Sequence, residues 1–310
     1  MIPKKAMVLW GLVLSLALYA GPAFAGLLVD ADWVQQHKND PKVRIVDVQN
    51  KADAYGKGHI PGAVRVQRHA DLADPTRYPP NKYPQQEQFL ALMNRLAIDN
   101  NTTVVAYDDH HGLFASRLLA IMELYGHDTA KLKILDGGTV QWKAAGNALT
   151  TEESRLSKAA AYVTKGAKTD MLITWTDILR DVIHAADNRV LLLDVRPVAE
   201  YNAEKIRAIR GGHIPGSVNV TGQDAANNKE AHTFKSVDQI RAAFEAAGLK
   251  PEQTAYVYCH SSDRAAHAYM VLTQLLGHKN VKIYDGAWAE WATLSALPVE
   301  DERWLMGQNK

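Results

Sequence analysis

Thiol is nearly absent from this chain: among its 310 residues, Cys259 is the one cysteine. That excludes an internal disulfide, a disulfide-scaffold class, and any zinc or iron–sulfur site built from several thiolates. Surplus charge is missing too. Thirty-five Lys and Arg against 34 Asp and Glu leave a formal net charge of +1, too little for a protein whose main business is neutralising nucleic-acid phosphates. Twenty glycines and 12 prolines are too few for a collagen-like or low-complexity chain. What is present is an ordinary globular composition, 47% hydrophobic, in a length that exceeds a single core and predicts two domains.

The first residues read as an address. Met1-Ile2-Pro3-Lys4-Lys5 is basic, an apolar run follows from Ala6 to about Ala20, and Ala23-Phe24-Ala25 precedes Gly26. A basic start, a short apolar centre and an A-x-A site predict a secretory signal peptide, cleaved after about Ala25. The uncharged stretch from Ala6 to Leu28 is long enough for the rival reading of a membrane anchor, but Gly21-Pro22 interrupts it. Export to a bacterial periplasm, with no membrane attachment after cleavage, is the expectation. There an unpaired cysteine is either hidden or used.

The remaining chain repeats itself. Val43-Arg44-Ile45-Val46-Asp47-Val48 matches Val190-Leu191-Leu192-Leu193-Asp194-Val195, and Gly58-His59-Ile60-Pro61-Gly62 matches Gly212-His213-Ile214-Pro215-Gly216. Thr103–Tyr107 matches Thr254–Tyr258, Gly126-His127 matches Gly277-His278, and Asp136-Gly137 with Trp142 matches Asp285-Gly286 with Trp291. Five matches in one order indicate a duplication. The apolar runs read as buried strands. Between them, 113–125 and 265–276 are helical and apolar almost all round, 89–96 and 237–247 are amphipathic, and Thr176-Asp177 is placed to cap a helix reaching about Ala186. The fold class is therefore α/β, with two tandem domains, each a mostly parallel sheet flanked by helices on both faces. The boundaries expected are signal peptide 1–25, first domain 26–149, linker 150–170 and second domain 171–310.

Cys259 follows a strand and precedes a helix, with His260-Ser261-Ser262-Asp263 between it and Arg264. Such a turn directs backbone N–H groups into one concavity, and the helix N-terminus and Arg264 add positive charge. Both favour a thiolate and an anion beside it. His260 as an imidazolium would help, whereas Asp263 would oppose. A buried packing cysteine is the alternative. Subtracting the 151 residues that separate Gly126 from Gly277 puts Asp108 opposite Cys259, in the acidic loop Asp108-Asp109-His110-His111-Gly112. The first domain thus lacks the thiol. Adjacent side chains rarely converge on one ion, so that loop is read as solvated or interfacial rather than metal-binding.

Leu193-Asp194-Val195-Arg196 followed by Glu200-Tyr201, the two Gly-His-Ile-Pro-Gly boxes, the Cys259–Arg264 loop and the Asp-Gly elements with Trp142 and Trp291 resemble the rhodanese family of sulfurtransferases. The likeness is to its tandem form, with an inactive first and an active second domain. The resemblance implies that Cys259 attacks the outer sulfur of thiosulfate or 3-mercaptopyruvate, holds it as a persulfide, and yields it to cyanide or a thiol, with no cofactor and no metal. It implies substrate contacts from His260, Ser261, Ser262, Asp263 and Arg264, with Arg207 and Arg210 as further anion-binding candidates. Glu200 stands where relatives often carry a donor-binding arginine, and Ser262 where glycine is common. Arg196 is expected to pair with Glu200 or Asp194, and His59 and His213 to be scaffold. The partners expected are a small anionic sulfur donor, a thiol or cyanide acceptor and a protein sulfur acceptor, with no nucleic acid. Two other functions remain open: a persulfide carrier serving a partner protein, and a cysteine phosphatase or arsenate reductase. In the latter two the arginine lies six residues after the cysteine, not five as here.

Overall fold

A computed structural model describes residues 26–305 apart from 52, 157–160 and 165. The expected signal peptide lies outside the described residues. Among those described, no helix is long and apolar enough to cross a membrane.

Among the described residues there are twelve strands, most of them short runs of β-branched and apolar residues: β1 (Leu28–Val29), β2 (Val43–Asp47), β3 (Val64–Arg65), β4 (Thr103–Tyr107), β5 (Leu132–Leu135), β6 (Leu172–Ile173), β7 (Val190–Asp194), β8 (Arg210–His213), β9 (Ser217–Asn219), β10 (Thr254–Tyr258), β11 (Val281–Tyr284) and β12 (Glu300–Trp304). Two five-stranded sheets result, ordered β1-β5-β4-β2-β3 and β6-β11-β10-β7-β9. All their pairings are parallel; Val43 faces Thr103 in the first and Val190 faces Thr254 in the second. Identical order and equivalent register make the duplication visible as structure.

The helix Leu113–Leu124 is buried at every residue. Its counterpart Asp263–Met270 is buried at all but one of its eight positions and runs on as a wider turn over Val271–Leu275. The reason is that these two helices pack against each other as well as against their own sheets. A helix flanked on two sides by packed layers is buried all round, so the polar residues it carries, Arg117 and Asp263 among them, need buried partners. One continuous core consequently runs through both domains, from Val46 and Ala106 to Val257 and Ile283. Smaller clusters centred on Trp142 and on Trp288 and Trp291 cover the outer sheet faces.

Two local expectations are corrected. Thr174, not Thr176-Asp177, caps the helix: its backbone N–H donates to Asp177 in a capping box, and the helix spans Trp175–Ile178 before widening over Leu179–Ile183. An antiparallel ribbon of β12 with β8 was not expected. Glu300-Asp301-Glu302-Arg303-Trp304 is exposed throughout, so it carries none of the apolar alternation by which a strand is read.

Candidate active site

Strand β10 delivers Cys259 to the carboxyl end of the second parallel sheet, the end at which open parallel sheets bind their ligands. Ser262 takes a left-handed backbone, φ 69°, which turns the chain into the helix that starts at Asp263. From the other side, the N–H of Trp288 donates to the Cys259 carbonyl at 2.8 Å and that of Ala289 to the His260 carbonyl at 3.1 Å. The loop is held from both ends, and Cys259 is 1% exposed.

The first domain shows what such a loop holds. The Asp108 carboxylate, at the Cys259 position, accepts hydrogen bonds from the backbone N–H groups of His110, Gly112, Phe114 and Ala115 at 2.7–2.9 Å. Burial pushes this carboxyl above its ordinary range, and the four amides pull the other way. The cradle is thus an anion receptor that the first domain fills with its own side chain. Among the described residues, no group of three or more His, Cys, Asp or Glu is arranged to hold a metal.

On the open side of Cys259 stands a cluster of charge. Glu200, 4% exposed, receives a forked pair from Arg264, Nη1 to Oε1 at 3.2 Å and Nη2 to Oε2 at 3.3 Å. Arg207 Nη1 reaches the same Oε1 at 3.1 Å. Burial works against charge on Arg264, but Cys259 and Glu200 beside it more than offset this and raise its pKa. Burial likewise opposes the Glu200 carboxylate, and the two arginines bring its pKa below the usual value. His260 is corrected here: burial first, then the neighbouring Arg207, lower its pKa to about 4, so it is a neutral imidazole and not a cation supporting a thiolate.

Two further candidates leave the mouth. Asp263 points the other way, where Arg68 pairs with it and Arg117 lies 3.6 Å from it. Both arginines belong to the first domain, so Asp263 is an interdomain anchor whose charge is met there. Arg210 is buried in β8 and donates to the carbonyls of Trp291, Ala292, Leu294 and Leu297 and to Glu302. It closes the end of the helix Ala287–Trp291 and has no donor left to bind an anion. Arg196 pairs with Asp194 at 2.5 Å over the Trp288 ring. The rings of His59 and His213 stack on Tyr55 and Tyr201 and hydrogen-bond to their carbonyls.

Residues that the sequence did not single out complete the site from the first domain. Asn81 Nδ2 and Arg117 Nη1 donate to the Ser261 carbonyl at 2.6 and 3.3 Å. The Tyr83 N–H bonds Asp285, and Lys82 pairs with Glu290 at 2.6 Å. The second domain returns the arrangement: Asn227 donates to the His111 carbonyl and the Phe234 N–H to Asp136. Each domain therefore braces the other's loop. Arg117 had a legible signal, since a charged residue inside an all-apolar helix needs a buried partner.

The family profile Rhodanese-like domain matches residues 30–145 and 177–294. The chain belongs to the rhodanese family. It is 35% identical over 287 residues to the "Sulfur carrier protein TtuD" of Thermus thermophilus, an alignment covering 90% of this chain and 98% of that one. A Mycobacterium bovis protein provisionally named thiosulfate sulfurtransferase 1 is 34% identical over 282 residues, covering 88% and 97% of the two chains. Among solved structures, the 3-mercaptopyruvate sulfurtransferase SseA of Escherichia coli matches with a TM-score of 0.73 and 29% identity over 84% of this rhodanese and 98% of SseA. The anaerobic ergothioneine biosynthesis enzyme of Chlorobium limicola shares the fold, with a TM-score of 0.77 at 23% identity over 89% of this chain and 70% of that one.

Proposed function

We propose that this rhodanese transfers sulfane sulfur through a persulfide on Cys259, with the second domain catalytic and the first inactive. The class of activity, sulfur transfer, is supported by the relatives named sulfurtransferases and a sulfur carrier. The observation that carries the mechanism is the paired loop: what the first domain fills with a carboxylate held by four amides, the second fills with Cys259. Loop amides and Arg264 stabilise the thiolate. It attacks the outer sulfur of thiosulfate or 3-mercaptopyruvate; the donor's bond to that sulfur breaks, and sulfite or pyruvate leaves with the electron pair. Cyanide or a thiol then attacks the outer persulfide sulfur and releases the thiolate. His260, Ser261 and Arg207 rim the approach. Export to the periplasm belongs to the same reading, on the strength of the N-terminal pattern; a secreted chain beginning at Gly26 is the expected product.

Intact mass after incubation with thiosulfate or 3-mercaptopyruvate tests the proposal. One added sulfur atom that cyanide removes is expected, and none in Cys259→Ser, which keeps the native melting temperature because the side chains are near in size. Sulfur loading that survives in Cys259→Ser would overturn it. The likeness to a sulfur carrier favours a second reading, delivery of the persulfide to a partner protein. Many equivalents of thiocyanate per chain from thiosulfate and cyanide support the enzyme; a single equivalent supports the carrier.

A further inference from the structure

We infer that Glu200 selects the sulfur donor by charge: it takes up one of the two positive charges at the mouth, so the site receives a singly charged donor in preference to a doubly charged one. The inference rests on Cys259 as the sulfur-accepting thiolate. Among the described residues, Arg264 interacts with Cys259 itself and Arg207 with the adjoining His260, and both bond to the one Glu200 carboxylate at 3.1–3.3 Å. His260, the remaining basic group there, is neutral. Arg196 is spent on Asp194. Arg68 and Arg117 lie behind the loop, gathered on Asp263 and, for Arg117, the Ser261 carbonyl. One net positive charge therefore faces the donor. Because Glu200 is 4% exposed, water screens it poorly and an approaching anion meets its repulsion at close range.

The two candidate donors differ in the quantity this arrangement measures. Thiosulfate carries two negative charges, and its reaction is Cys-S⁻ + S₂O₃²⁻ → Cys-S-S⁻ + SO₃²⁻. 3-Mercaptopyruvate carries one, on its carboxylate, since an ordinary thiol is largely protonated at neutral pH. Its reaction is Cys-S⁻ + HS-CH₂-CO-COO⁻ → Cys-S-S⁻ + CH₃-CO-COO⁻, the thiol proton passing to the carbon that loses sulfur. The first places three negative charges around Cys259 at the moment of transfer and the second places two. Against one uncompensated cation the second donor leaves one negative charge in excess and the first leaves two, so the site favours the second.

The experiment is single-turnover sulfur loading followed by intact mass, with thiosulfate and 3-mercaptopyruvate as the two probes, in wild type, Glu200→Gln and Arg207→Gln. Glutamine keeps the size and one acceptor oxygen while removing the charge. The ratio of the thiosulfate to the 3-mercaptopyruvate rate constant is expected to rise about tenfold or more in Glu200→Gln and to fall in Arg207→Gln, whose half-exposed side chain makes it safe for folding. A steeper loss of thiosulfate loading with added salt is expected in Glu200→Gln. A ratio that stays within twofold of wild type in the folded variants, or moves the opposite way, overturns the role of Glu200 while leaving Cys259 chemistry standing. Wild type that accepts sulfur from neither donor overturns the underlying reading instead. If Glu200→Gln does not fold, Arg207→Gln and the wild-type ratio decide.

Discussion

His260 and His267 show how position rather than residue type fixes a charge. An imidazole in water titrates near pH 6.5, yet burial and neighbouring cations bring His260 to about 4, and burial with the imidazoles of His111 and His110 does the same for His267. The unfolded chain therefore takes up protons on these rings as pH falls through about 6.5, while the folded chain resists until about 4. Stability is present in full above pH 6.5 and is lost across that window, by roughly 2–3 kcal/mol for each ring at the low end. Urea unfolding from pH 7.5 to 4.5 checks this, and the slope should lessen in His267→Gln. The pH profile of sulfur loading, by contrast, should show no inflection near 6.5 from His260, and His260→Gln should leave its shape between pH 5 and 8 unchanged.

At the scale of elements, the strand–loop–helix unit is built twice to different tolerances. Gly138 has φ +51°, and a Cβ there would lie 2.0 Å from the Asp108 carbonyl oxygen. The matching Ala287 has nearly the same φ, +56°, and carries its Cβ. The first loop is closed down on its neighbour more tightly than the second. Gly138→Ala should cost roughly 2–4 kcal/mol in urea unfolding, because backbone cannot yield as a side chain can. Ala287→Gly should change stability by less than about 1 kcal/mol, since relief of the left-handed strain offsets the added chain entropy. The strands and the cysteine turn were legible in the sequence because their signals are local: apolar runs ending in Asp47 and Asp194, then a polar turn before a helix. Strand β12 was not, because its pairing with β8 rests on backbone bonds that Glu, Asp and Arg make without any apolar pattern. The direction of Asp263 is not legible in the sequence, because its place in the loop suggests the cysteine side whereas the first turn of its helix turns that side chain to the other domain. Arg210 is illegible for a related reason: among nearby basic residues the sequence does not distinguish a mouth from the end of a packed helix.

For the molecule as a whole, the continuous core and the crossed braces make the two domains one working unit. Asn81 and Arg117 grip the Ser261 carbonyl, and Arg117 is itself pinned by the carbonyls of Leu72 and Asn81. Asn81→Ala should fold normally and load sulfur on Cys259 several-fold more slowly, read by the same mass assay. Arg117→Met should lose roughly 3 kcal/mol, because it leaves those carbonyls and part of the Asp263 charge buried without a donor. None of these long-range contacts is written in any single stretch of sequence. The duplication was legible at this scale, but the way the halves lean on each other was not.

The grip on Ser261 also sets a direction. With the loop fastened to the first domain behind and to Trp288 and Ala289 beside it, the backbone around Cys259 has little freedom to shift. On the persulfide reading proposed above, an added sulfur atom would be accommodated on the side of Arg264 rather than by movement of the loop. Donor and acceptor would then reach Cys259 from that one side, and the donor's remainder would have to leave before the acceptor arrives. The first domain, which lacks a thiol, would in this way set the order of events at the second.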